Sequence, residues 1–178
     1  RLLRPHNYPA ATPGTGIFVG DTNCGVRVAV LNLQGRVFMP PIDCPFTTGL
    51  AAVERIRRQT PVIIVDFHAE ATSEKQAVGW YLDGQVSAVV GSHTHVQTAD
   101  ERILPRGTAY ITDLGMAGPH DSIIGSIPDL ALERFLRQIP VRLEPASGNP
   151  RICGVLIDVD PETGHATGIR RINVPGGA

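Results

Sequence analysis

The run PVIIVDFH, residues 61–68, is apolar from Val62 to Val65 and again at Phe67, and it closes on Asp66 and His68. A strand with one wet face alternates apolar and polar residues. An unbroken apolar run needs cover on both faces, which is the pattern of a central strand in an α/β sheet. VSAVVGSH (86–93) has the same form, and GTAYITDLG (107–115) reads as a third such strand. Between the first two lies ATSEKQAVGWYLDG, a helix that Thr72 or Ser73 can cap, with Glu74 in its first turn and Gly84 to end it. Upstream, IFVG (17–20) and VRVAVLNL (26–33) carry strand residues, and NLQGRVFM (32–39) reads as a turn into another short extended stretch. Residues 47–59 space Leu50, Val53 and Ile56 at helical intervals. Downstream, the loop GMAGPHDSIIGSI leads into a helix, PDLALERFLRQ, with Pro128 at its first position. A hairpin, ICGVLIDVD–PETG–HATGIRRINV, ends the pattern. Strands alternating with helices and then a hairpin predict a layered α/β fold with a mixed sheet. One domain is expected over residues 1–178, with residues 1–16 an arm lacking strand or helix.

The totals agree. A chain of 178 residues, 42% hydrophobic and 19% charged, suits one globular domain. A net charge of -1 leaves no electrostatic footprint for nucleic acid, and no apolar run approaches the length of a membrane helix. Cys24, Cys44 and Cys153 are odd in number and widely spaced, so free thiols scattered through the core of a cytoplasmic protein are expected.

Three of the histidines stand where strands end: His68 after VIIVDF, and His93 and His95 after SAVVGS. Ligands of α/β sheets gather at the carboxyl ends of strands. In extended backbone, residues two apart share a side, so His93 and His95 are expected to converge. Taken singly, each histidine also fits a satisfied polar residue near the core; three together point to a metal site, for which imidazole is a common ligand. His6 and His165 are expected to be exposed, and His120 to be a solvated loop residue or to reach a substrate.

At these residues the sequence resembles a known family. LLRPHNYP and TPGTG in the arm, VDFHAEATSEK (65–75), GSHTHVQTADERILPRGTAYITDLGMAGPHDSIIG (91–125) and GVLIDVDPETGHATGIRRI (154–172) are similar to the bacterial YmdB-type metallophosphoesterases, a calcineurin-like group. The likeness implies an αββα sandwich with a two-metal centre at one edge of the paired sheets. It implies hydrolysis of 2′,3′-cyclic nucleotides or related small phosphodiesters by water activated between two divalent ions of iron, manganese or magnesium. His68 and His93 would hold one ion and His95 the other. Asp66 would orient a ligand imidazole or serve as a structural carboxylate. Gly115, Met116 and Gly118 would line the substrate pocket or form a plain glycine-rich turn. A homo-oligomer stays open.

The family's early motifs have no counterpart here: a Gly-Asp loop, a Glu-Asn pair and a Gly-Asn-His stretch. The chain therefore resembles the family without its N-terminal third, and no catalytic residue is assigned in it. Two dications about 3.5 Å apart repel by ~19 kcal/mol at an effective dielectric near 20, and three neutral imidazoles offset none of that. By itself the chain is thus expected not to keep a metal pair and to be inactive. Two other readings stand beside this one. A poly-glutamate-synthesis-type relative has Gly-x-His-Pro-His where Thr94 interrupts the pattern here, and a non-catalytic metal-binding or scaffold fragment needs no turnover.

Overall fold

The structure, a computed structural model, describes residues 2–176. Strand β1 (Ile17–Asp21) pairs antiparallel with β2 (Arg27–Gln34), and β2, β3 (Ile63–His68), β4 (Ala88–Ser92) and β6 (Ala109–Ile111) run parallel. The short β5 (Arg102–Ile103) closes the far edge antiparallel, giving a six-stranded mixed sheet in the order β1-β2-β3-β4-β6-β5. A second sheet of three antiparallel strands contains β7 (Ala117–Pro119), β8 (Pro150–Val159) and β9 (Ala166–Pro175).

The unbroken apolar run at 62–65 is explained by cover on both faces of β3. Ile63, Val65 and Phe67 point into a core shared with Leu31, Leu33, Val53, Ile56, Val78 and Leu82, under helices α1 (Pro45–Ile56) and α2 (Thr72–Tyr81). Phe67 alone, fully buried, contributes about 1.5–3 kcal/mol. Ile64 points the other way, into a second core made with Ala88, Val90, Ala109 and Ile111 and with Val155, Ile157 and Ile169 of the small sheet. Helices α1 and α2, the large sheet and the small sheet are therefore three stacked layers. Of the expected αββα sandwich, the outer face of the small sheet is left uncovered among the described residues, with Ile152, Leu156 and Val174 exposed.

Several local expectations change. The stretch after β2 does not become a strand: Val37 to Met39 form a turn, Phe38 with φ 60°. Neither Thr72 nor Ser73 caps α2; the capping position is Ala71, without a side-chain bond. The Glu74 carboxylate instead accepts the N–H groups of Arg36 (3.0 Å) and Val37 (3.2 Å), holding the turn after β2. The stretch 107–115 yields only the three residues of β6, and the loop after it contains β7, whose partner β8 lies far along the chain. Helix α3 (Pro128–Arg137) does start on its proline. The arm has no strand or helix, but it is tied down: Asn7 is fully buried, donates to the Gln34 and Asp43 carbonyls and accepts the Gln34 N–H. The cysteines are free thiols, yet none is in the core: Cys24 is exposed and Cys44 and Cys153 are half-buried.

Candidate metal centre and the adjoining cavity

The even-numbered residues of β3 face the small sheet, so Asp66 and His68 leave the second core on the same side as Ile64. Parallel pairing sets Gln34 of β2, His68 of β3 and Ser92 of β4 in one row at the carboxyl ends. Gly91 allows this close packing, because a Cβ there would overlap the Thr112 carbonyl just beyond β6.

Five side chains, Asp66, Ser92, His68, His93 and Glu70, form a continuous run across this row. Asp66 accepts from Asn32 (2.7 Å) and from the Ser92 hydroxyl (3.1 Å). With its hydrogen committed to Asp66, Ser92 Oγ is left to accept from His68 Nδ1 at 3.4 Å. His68 Nε2 then faces His93 Nδ1 at 3.0 Å, the rings 4.6 Å apart and nearly perpendicular. His93 Nε2 reaches Glu70 Oε2 at 2.8 Å. The outer nitrogen of each ring is thus held by a hydroxyl or a carboxylate, and the inner nitrogens point at one another. Asp66 acts on His68 through Ser92, not by direct contact. Burial lowers the His68 pKa, the neighbouring His93 lowers it further, and Asp66 opposes both, so the ring favours its neutral, ligand-ready form.

A proton or a cation completes the inner gap. Without a cation, the run closes when one of the two rings carries protons on both nitrogens. With one, both imidazoles are neutral, and Ser92 and Glu70 are the outer partners that metal-bound histidines characteristically have. Two nitrogens each about 2.0–2.1 Å from one ion stand roughly 3.0–3.4 Å apart, so the observed separation fits a pair of adjacent ligands.

His95 does not join this run. Its Nδ1 bonds the Ile124 carbonyl at 2.8 Å, and no group of three His, Cys, Asp or Glu among the described residues is gathered for a metal ion. Sharing a side depended on extended backbone, but β4 stops at Ser92, and His93 and His95 have φ of 114° and 65°. Two left-handed non-glycine residues so close together are costly and persist only where the surroundings enforce them. The enforcing group is Asp113, fully buried: its carboxylate accepts from Lys75 Nζ (2.8 Å), from the Thr94 N–H between the two histidines (3.0 Å) and from the Gly115 N–H (2.9 Å). Burial raises the Asp113 pKa, but the Lys75 ammonium and the two N–H donors outweigh it, leaving it below the usual carboxylate value.

Beside His95 opens a cavity of about 320 Å3 lined among others by Gln97, Met116, His120, Cys153 and Arg171. Met116 is among the residues that line it. Gly115, at φ 78°, is needed because a Cβ would press on Gln97 and Cys153, so the close approach it permits is by the protein itself; Gly118 sits in β7 facing open space. His120 is half-buried in the cavity wall: Nδ1 contacts the Gly118 carbonyl at 3.1 Å and Nε2 the Cys153 thiol at 3.5 Å. His6 is half-buried against Arg55, whereas His165 is exposed as expected. Glu70, Ser92 and Asp113 escaped the sequence reading. Glu70 two residues after His68 was the one available signal, a carboxylate beside a strand-end histidine.

Comparison with known proteins places this geometry in context. The chain is 54% identical over 171 residues to the 2′,3′-cyclic-nucleotide 2′-phosphodiesterase of Bacillus subtilis (strain 168), covering 96% of this chain and 64% of that protein. The crystal structure of a protein from Thermus thermophilus superposes with a TM-score of 0.91 at 39% identity, covering 98% of this chain and 68% of the other. A phosphatase from Mycoplasma pneumoniae gives a TM-score of 0.88 at 34% identity, covering 97% and 63%. The chain thus spans between 59% and 64% of the length of the curated relatives it matches. The model of the YmdB-like protein family matches residues 1–172, and the chain belongs to that family.

Proposed function

We propose that this chain carries the histidine face of a metal-dependent phosphodiesterase that hydrolyses 2′,3′-cyclic nucleotides or related small phosphodiesters. The observation that carries the metal reading is the run from Ser92 through His68 and His93 to Glu70, whose inner nitrogens lie 3.0 Å apart with both outer nitrogens engaged. The substrate class rests on the 54% identity to the Bacillus subtilis enzyme. In this reading the cofactors are two divalent ions of iron, manganese or magnesium. His68 and His93 serve one and His95 the other; imidazole donors favour iron over magnesium. When bound, such ions lower the pKa of water and neutralise charge on phosphoryl oxygens.

The chain's own residues do the rest. Ser92 and Glu70 hold the His68 and His93 rings edge to face, and Asp113 keeps the 93–95 backbone in its left-handed form. His95 Nδ1 is tied to the Ile124 carbonyl, which leaves Nε2 for a ligand. The substrate would enter the cavity that Met116 lines, with Gly115 and Gly118 beside Met116 in the chain. The three free thiols suit a reducing compartment, the cytoplasm. No helix of the described residues is long and apolar enough to cross a membrane.

Metal analysis together with a 2′,3′-cyclic-AMP assay tests this. In the full-length protein, His93→Ala should lose bound metal and activity together. Metal retained at the parental level would remove His93 from the site. Stoichiometric metal with no hydrolysis in the parent would leave a metal-binding scaffold.

A further inference from the structure

We propose that Cys153 and His120 form a base-assisted nucleophile in the cavity wall, the place where hydrogen peroxide oxidises this protein. The pair stands independently of the metal and substrate readings. Cys153 lies on β8 on the same side as Val155 and Ile157, so its thiol faces inward from the small sheet. It stops short of the second core: half-buried, it lines the cavity of about 320 Å3 together with His120. A cysteine enclosed in a core is inert, whereas this thiol has an open approach. Peroxide, a molecule of two oxygen atoms, is small against that volume.

The directions of the hydrogen bonds assign the roles. A carbonyl only accepts, so the contact of His120 Nδ1 with the Gly118 carbonyl at 3.1 Å places the ring hydrogen on Nδ1. In the neutral ring Nε2 then carries a bare lone pair, and the Cys153 sulfur lies 3.5 Å from it with S–H as the donor. Nucleophile, base and a third group that orients the base thus follow one another as they do in activated thiols. As the sulfur attacks one peroxide oxygen, the S–H proton passes to Nε2 and the O–O bond breaks. The sulfur is oxidised by two electrons to a sulfenic acid, and the departing hydroxide takes the proton from Nε2 and leaves as water. The Gly118 carbonyl accepts from Nδ1 throughout, also while the ring is positively charged. Cys24 and Cys44 have no such base, since their sulfurs contact Thr22 and Arg36.

Treating the full-length protein with hydrogen peroxide at neutral pH, trapping sulfenic acid with dimedone and quantifying each cysteine peptide by mass spectrometry tests the proposal. Cys153 is expected to react faster in the folded protein than in urea, the reverse of an inert half-buried thiol, which gains from exposure. His120→Asn keeps an amide that can donate to the Gly118 carbonyl but offers no base. It should slow Cys153 about 100-fold, the low end of what a positioned base contributes, with Cys24 and Cys44 unchanged in the same molecules. The comparison of folded protein with urea uses the parent alone, so it decides even if the variant fails to fold. A Cys153 that reacts faster in urea overturns the proposal. So does a folded His120→Asn protein whose Cys153 reacts as fast as in the parent.

Discussion

At the scale of single residues, the chemistry of the site depends on which nitrogen of each imidazole is occupied. Ser92 and Glu70 touch no shared point, yet each commits an outer nitrogen, and together they turn two histidines into one converging pair. Glu70→Gln keeps the size of the side chain and removes its charge, so it should lower metal affinity about 10- to 100-fold while leaving the fold unchanged. Competition with a chelator, read beside thermal unfolding, checks both halves of that expectation. Ser92→Ala removes the acceptor at His68 Nδ1 and strands one Asp66 oxygen, so it should weaken metal binding in the same direction. The sequence already showed the histidines at strand ends. It did not show the hydroxyl and carboxylate that hold them, because a serine at a strand end or a glutamate in a loop has many possible partners until the chain is folded.

Elements decide whether those residues meet at all. The 93–95 turn is held by a buried ion pair from two elements, Lys75 of α2 and Asp113 beyond β6. Asp113→Asn leaves the ammonium buried without a countercharge, which should cost about 3–5 kcal/mol at neutral pH. Because the folded Asp113 pKa lies below its ordinary value, its stabilisation is complete above about pH 4 and is lost as pH falls through the folded value. Urea unfolding at pH 7 and pH 3 should therefore show a smaller gap between parent and Asp113→Asn at the lower pH. Gly91 governs the spacing of β4 and β6. Gly91→Ala should destabilise by about 3 kcal/mol, the upper end of overpacking, since the Thr112 carbonyl it meets is backbone and yields little. It should also release metal, because His93 follows two residues later; a stable variant with full metal content would show that the strands part without moving the site.

Across the whole molecule, two sheets stack so that one apolar face of β3 meets helices and the other meets the hairpin. The carboxyl edge of the large sheet then opens toward the cavity beside β7 and β8, which brings residues about 30 positions apart, such as His120 and Cys153, to one wall. Two apolar surfaces stay open among the described residues: the outer face of the small sheet, and Leu132, Phe135 and Leu136 on α3.

What the sequence alone determined is the layered architecture and the position of His68 and His93, since both follow from local periodicity: buried strands read as unbroken apolar runs, and strand ends expose what comes next. The tertiary structure decided the rest. Whether His95 shares a side with His93 turned on two left-handed residues enforced by a carboxylate 19 residues away, and β7 exists only because β8 returns to pair with it. Such features depend on contacts between distant residues, and no local pattern of residues encodes a contact that forms only once the two sheets close on each other.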